Sequence, residues 1–232
     1  MKKYLLNLLF PVSCIICDNF ELKSSRGLCK LCHEKLDSEL INSRSCKYCG
    51  RPLQANEELC FMCKDKISSA DGFFTAGYYE GILKQVIKHF KYKRKIFLKH
   101  IAGEILIRLY MDACVEEIDA IIPVSLSKKR KKFRGYNQSE LLAGYLSKKT
   151  GIKLKKNVLK RKKETQPQVK LDREKRFSNL KEAFVCSDWV KGKNILLVDD
   201  VSTTGATIQN SSIALKSAGA DKVFVLILAH GK

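Results

Sequence analysis

Eight cysteines in the first 66 residues fall into four C-x-x-C pairs: Cys14 with Cys17, Cys29 with Cys32, Cys46 with Cys49, and Cys60 with Cys63. The order is a repeat, CIICDNFELKSSRGLCKLC and then CKYCGRPLQANEELCFMC, with eleven and ten residues between the pairs of each half. A C-x-x-C turn brings two thiolates to one tetrahedral Zn²⁺ at about 2.3 Å each, and a second turn completes the shell without leaving an open position. The spacing therefore predicts two closed structural zinc sites. Because the halves resemble each other, sequential pairing within each half is expected; a crossed arrangement, first pair with third and second with fourth, is the alternative. Disulfides would want a secreted context, and a redox C-x-x-C would stand singly near a strand-helix junction. Cys114 and Cys186 lie outside the repeat, in apolar surroundings, and are read as core packing.

The leading segment MKKYLLNLLFPVSC has an apolar stretch that is short, broken by Asn7 and closed by Pro11, where a cleavable signal would want small residues. It is read as a short amphipathic helix. No apolar run approaches the ~20 residues of a membrane span. With 45% apolar residues in 232, a soluble, cytoplasmic, globular protein is expected.

The formal net charge of +20 is unevenly placed, +3 over residues 1–70 and +17 over residues 71–232. Eight thiolates on two Zn²⁺ would make the first part slightly negative. The excess lies in Lys88–Lys95, Lys128–Arg134 and Lys148–Lys163, with Tyr92 and Phe133 interleaved. A solvated lysine-rich surface accounts for any one cluster. Three together raise an anionic ligand or a nucleic-acid backbone as the functional reading.

After residue 66 strand-like and helix-like segments alternate. Gly72–Glu80 reads as a strand or hairpin arm, and Ile82, Leu83, Val86, Ile87 and Phe90 recur at helical spacing. A helix is expected over 97–113, then the strand DAIIPVS, a basic loop, and a helix with Asn137 as N-cap and Gly151 as its stop. A long polar stretch around 160–184 suits a functional loop or a linker. Then come the strand NILLVDD, the turn VSTTG, a helix from Ala206 to about Ala218, and the strand KVFVLILA. This order implies a mainly parallel, doubly wound α/β sheet whose ligands lie outside the carboxyl ends of the strands.

Asp199 and Asp200 fall at such a strand end. The TTGAT that follows offers consecutive backbone N–H groups, three threonine hydroxyls, a glycine for close approach and a helix N-terminus, which together make a phosphate cradle. Two carboxylates beside it suit the vicinal hydroxyls of a ribose, or a Mg²⁺ shared with a diphosphate.

ILLVDDVSTTGAT closely resembles the phosphoribosyl pyrophosphate (PRPP) binding motif of type I phosphoribosyltransferases. IIPVSLSKKRKKFRGYNQSELLA, RKKETQPQVKLDREKRFSNLKEAF and the cysteine pairs extend the resemblance to the ComF family, over nearly the whole chain. The resemblance implies a double zinc ribbon at residues 1–66, a type I phosphoribosyltransferase domain at residues 67–232, and two structural Zn²⁺ with Mg²⁺ accompanying PRPP. By position, Asp199 and Asp200 would bind the ribose hydroxyls, and Ser202, Thr203, Thr204, Gly205, Ala206 and Thr207 the 5-phosphate. Pro123, Val124, Ser125 and Leu126 would hold pyrophosphate, and Arg134 would neutralise it. Arg161, Thr165, Gln168 and Arg176 would lie in a loop that closes over the reacting carbon, with Gln168 and Arg176 counted among the catalytic residues.

The family is linked to DNA uptake in natural transformation, with a helicase-like ATPase among its partners. One departure matters: Thr203 stands where purine-salvage relatives carry an acid that assists the incoming base. Two functions therefore follow. One is phosphoribosyl transfer to an unnamed acceptor. The other is a DNA-uptake accessory protein that binds single-stranded DNA, and PRPP or nucleic-acid phosphate, without turnover.

Overall fold

The computed structural model describes residues 13–19, 27–41, 45–53, 57–115, 117–161 and 183–231. In chain order its elements are α1 (Lys30–Glu39), β1 (Gly72–Thr75), α2 (Gly81–Tyr92), α3 (Lys99–Ala113), β2 (Ala120–Pro123), α4 (Lys128–Arg134), α5 (Gln138–Thr150), β3 (Lys153–Leu154), β4 (Leu159–Arg161), β5 (Phe184–Cys186), β6 (Ile195–Ser202), α6 (Ala206–Ser217) and β7 (Val223–His230). Five strands make one parallel sheet in the order β1-β7-β6-β2-β3, and β4 pairs antiparallel with β5 apart from it.

The central strands are apolar throughout because both faces are covered. Successive β6 side chains enter opposite cores. Leu196 and Val198 meet Leu83, Phe90, Leu106, Leu142 and Leu146 of α2, α3 and α5. Ile195 and Leu197 meet Ile208 and Leu215 of α6, with Leu159 and Phe184 of the β4–β5 pair. Among the described residues the expected doubly wound architecture is present, with α2, α3 and α5 on one face and α6 plus the β4–β5 pair on the other.

Both halves of the cysteine repeat dock on this body. Glu39, the last residue of α1, accepts from Ile82 N and Leu83 N at 3.0 Å each and so caps α2 with a carboxylate at its positive end. In the second half, Gly50 O accepts from Thr75 Oγ1 at 2.6 Å. A Cβ at Gly50 would stand 2.3 Å from the Phe73 ring, and the residue sits at φ +83°, which favours glycine.

Three expectations change. The basic segment Lys128–Arg134 is a helix and not a loop: Ser127 accepts from Arg130 N at its start, and Gly135 ends it in the left-handed region. The 72–80 arm is a regular strand over four residues only, Gly72–Thr75 against Phe224–Ile227, and continues past it as isolated bridges, Tyr78 with His230 and Gly77 with Leu40. Cys114 is exposed at the left-handed end of α3, at φ 44°, and does not pack in the core. The amphipathic helix expected before Cys14, and Thr165, Gln168 and Arg176, lie outside the described residues. No helix among the described residues is long and apolar enough to cross a membrane.

Candidate functional site

β2 and β6 run in register, Pro123 beside Val198, and Val124 N donates to Val198 O at 2.9 Å. The segment Pro123–Leu126 therefore leaves the sheet beside the pair Asp199–Asp200, which does not end β6 as expected but lies within it, two residues short of its end at Ser202. Asn137 ties the next helix to both. Its Oδ1 accepts from Ser139 N at 3.1 Å, capping α5, while its Nδ2 donates to Val124 O at 3.1 Å. The cap brings Ser139 under the acids, where its hydroxyl donates to Asp199 Oδ1 at 2.6 Å.

Asp199 is 9% exposed and its Oδ1 also accepts from Asp200 N at 2.8 Å. Burial, with the Asp200 charge second, pushes its carboxyl from the ordinary 3.8 up to about 7. Asp200 has a different partner: Lys91 Nζ, from the last turn of α2, lies 2.8 Å from its Oδ1, with both side chains largely buried. Lys91 is followed by Tyr92, whose ring lies 5.2 Å from the Arg134 guanidinium. Arg134 also donates to Gln138 Oε1 at 3.0 Å, so it stands at the mouth of the same crevice.

Beyond the acids, Thr203, Thr204 and Thr207 are exposed. Gly205 adopts φ 78° and opens α6 without a side-chain cap, so the helix presents its positive end to the loop. Ser202 is oriented otherwise: its hydroxyl donates to Cys49 O at 2.8 Å, on the cysteine side of the strand. Ser125 Oγ donates to Leu159 O, and Arg161 lies over the Phe184 ring at 5.7 Å. The carboxyl end of the central strands thus gathers Pro123–Leu126, Asp199, Asp200, Arg134 and Thr203–Thr207.

The thiols form two separate groups, Cys14, Cys17, Cys29 and Cys32, and Cys46, Cys49, Cys60 and Cys63, with sulfurs within 4.8 Å of one another in each. Cys17 and Cys29 sulfurs are 3.6 Å apart, and those of Cys49 and Cys60 3.8 Å. A tetrahedron with arms of about 2.3 Å has edges of about 3.8 Å, so both sets fit Zn²⁺ and the pairing is sequential. Beside Cys46, the Cys49 thiol holds the Cys46 sulfur well below the usual thiol range, toward the thiolate that a metal binds.

Two site residues escaped sequence reasoning. Lys91 is one lysine of KHFKYKRK, but it stands four residues after the buried Ile87, the spacing that turns a helical residue inward. Ser139 carried no signal, since a serine in the first helical turn is ordinary.

Residues 5–64 match the double zinc ribbon domain family. The chain is 32% identical over 228 residues to "Competence protein F" of Haemophilus influenzae, covering 95% of this chain and 98% of that protein. It is 28% identical over 208 residues to "DNA utilization protein YhgH" of Escherichia coli K12, covering 88% and 90%. It is 26% identical over 231 residues to "Competence protein ComFC" of Bacillus subtilis, covering 89% of each. Among solved structures, the glutamine PRPP amidotransferase of B. subtilis aligns with a TM-score of 0.39 at 20% identity, over 55% of this chain and 25% of that one.

Proposed function

The chain belongs to the ComF family of competence proteins, and from that premise we propose that it binds PRPP at the carboxyl end of its central strands as a phosphoribosyltransferase-like protein of DNA uptake. The observation that carries this reading is the acid pair Asp199–Asp200, placed in the carboxyl half of the central parallel strand, two residues before the loop that opens α6. The carboxylates accept the ribose hydroxyls, and Thr203–Thr207 offer amides and hydroxyls to the 5-phosphate. The backbone of Pro123–Leu126, with Arg134 beside it, takes the diphosphate. Gln168 and Arg176 keep the role beside the reacting carbon that the family resemblance implies.

In turnover the bond from ribose C1 to the pyrophosphate oxygen breaks as a bond forms from C1 to the acceptor. The cationic side chains take up the charge gathering on pyrophosphate. Two carboxylates beside one ammonium suit a hard cation held jointly with substrate oxygens, so Asp199 and Asp200 are the residues that would meet Mg²⁺. Mg²⁺ supplies charge neutralisation on the diphosphate when bound.

A second reading, binding without turnover, is favoured by Thr203, which is exposed and cannot hold an ionisable proton at neutral pH for an incoming base. Calorimetry with Mg²⁺ and PRPP should show binding that Asp199→Asn/Asp200→Asn abolishes; unchanged binding in that variant would overturn the site. Pyrophosphate release across a panel of bases, amines and nucleic acids separates the two readings, since binding with silence across the panel selects the second.

A further inference from the structure

The loop before α6 is backed by the second cysteine cluster. Ser202 Oγ donates to Cys49 O at 2.8 Å. Gln209, in the first turn of α6, donates through Nε2 to Tyr48 O at 2.8 Å and Lys47 O at 3.2 Å, while its Oε1 accepts from Ser69 N at 2.8 Å. Between these two residues, a Cβ on Gly205 would meet Tyr48 O at 2.4 Å and Cys49 Cα at 2.8 Å. The backbone of the Cys46–Cys49 turn therefore touches the loop at its start, its glycine and its exit into the helix. Ser68 extends the seam, donating from Oγ to Lys47 O at 2.7 Å.

Tyr48 and Cys49 lie within a C-x-x-C turn, whose shape is set by the ion it binds. In such modules metal-binding free energy is folding free energy. Loss of the ion would release the carbonyls that hold Ser202 and Gln209, and the loop would then have to be ordered at the expense of ligand affinity.

We infer that the second zinc ribbon is a positioning element of the 5-phosphate loop, so that the ion held by Cys46, Cys49, Cys60 and Cys63 sets affinity for the ribose 5-phosphate half of the ligand. This rests on the phosphoribosyl reading of the loop. The diphosphate half, at Pro123–Leu126, is built from β2 and the Asn137 cap, and none of the seam hydrogen bonds named above reaches it.

The test titrates the full chain separately with ribose 5-phosphate and with Mg²⁺ and pyrophosphate, and follows amide hydrogen exchange at residues 203–208 without ligand. Cys63→Ser should retain one Zn²⁺ per chain, weaken ribose 5-phosphate binding by roughly tenfold or more, leave pyrophosphate binding within about twofold, and speed exchange in the loop. Gln209→Ala should keep both ions and weaken ribose 5-phosphate binding by roughly three- to tenfold, the worth of one or two hydrogen bonds. In the double variant the effects should fall short of additive, because both remove one contact.

Unchanged ribose 5-phosphate affinity in both variants, or equal weakening of both ligands, would overturn the inference. Should the wild-type chain bind neither ligand, the phosphoribosyl reading itself falls. Loop exchange unaltered in Cys63→Ser and Gln209→Ala would then overturn the positioning contact on its own.

Discussion

Asp199 and Asp200 adjoin one another yet meet different solutions to the same repulsion. Asp200 is neutralised by Lys91, whereas Asp199 is held by two donors and kept near its protonated form. For Asp199 the folded-state pKa of about 7 lies above the ordinary 3.8, so its contribution to stability is full below about 4 and is lost as pH rises through about 7. Asp199→Asn preserves an acceptor for Ser139 and Asp200 N but cannot ionise. Urea unfolding should therefore find the variant gaining on the wild type by on the order of 2–4 kcal/mol between pH 5 and pH 8; an equal gap at both pH values would contradict the assignment. Lys91→Met, by contrast, leaves a buried carboxylate unpaired and should cost about 3–5 kcal/mol at pH 8. Asp200→Asn in the same chain should recover most of that loss. The aspartates were legible in sequence because acid pairs at an apolar strand end are rare. Lys91 was hidden among four neighbours of like charge, Lys88, Lys93, Arg94 and Lys95, and only tertiary packing selects it.

At the level of elements, helical period made the three long helices readable, and the short, β-branched apolar runs ILLV and VFVLILA between turn residues made the central strands so, since such runs suit a parallel sheet covered on both faces. The cap at Asn137 was equally readable from the residue type. Its second hydrogen bond, to Val124 O, was not, because nothing local encodes contact across thirteen residues. Asn137→Ala should therefore cost more than an ordinary cap, about 2 kcal/mol, and loosen the 123–126 turn, with faster amide exchange there as the readout. α4 went unread because seven residues of nearly uniform positive charge repel one another at helical spacing. Phe133 is 73% exposed on it. If this helix meets single-stranded DNA, Lys131→Glu/Lys132→Glu should lower affinity and reduce the slope of log K against log salt by roughly 1–2, which a binding series at several salt concentrations measures.

Across the whole molecule, the proposed division at residues 66 and 67 separates sequence signals more cleanly than it separates contacts. Glu39 caps α2, Gly50 holds Thr75, and Cys49 holds Ser202. The spacing of the cysteines was sufficient to foresee two zinc sites, and the likeness of the two halves favoured the sequential pairing over the crossed one. It was silent on where the ribbons dock, because the second half docks through backbone carbonyls that every residue carries, and the Glu39 carboxylate of the first meets amides more than forty residues away. Such interlocking predicts one cooperative unfolding transition for the full zinc-loaded chain by calorimetry, shifted to lower temperature by a strong chelator; two independent transitions would contradict it.

β1 has a further importance. It is the outermost strand on its side of the sheet, only Gly72-Phe73-Phe74-Thr75 long, and it is shielded where Gly50 and Ile41 bond to Thr75 and Ala76. Stripped of those neighbours, it becomes an apolar edge with open backbone groups, a template for another chain. Zinc starvation should therefore reveal itself first as self-association, before any loss of helix content.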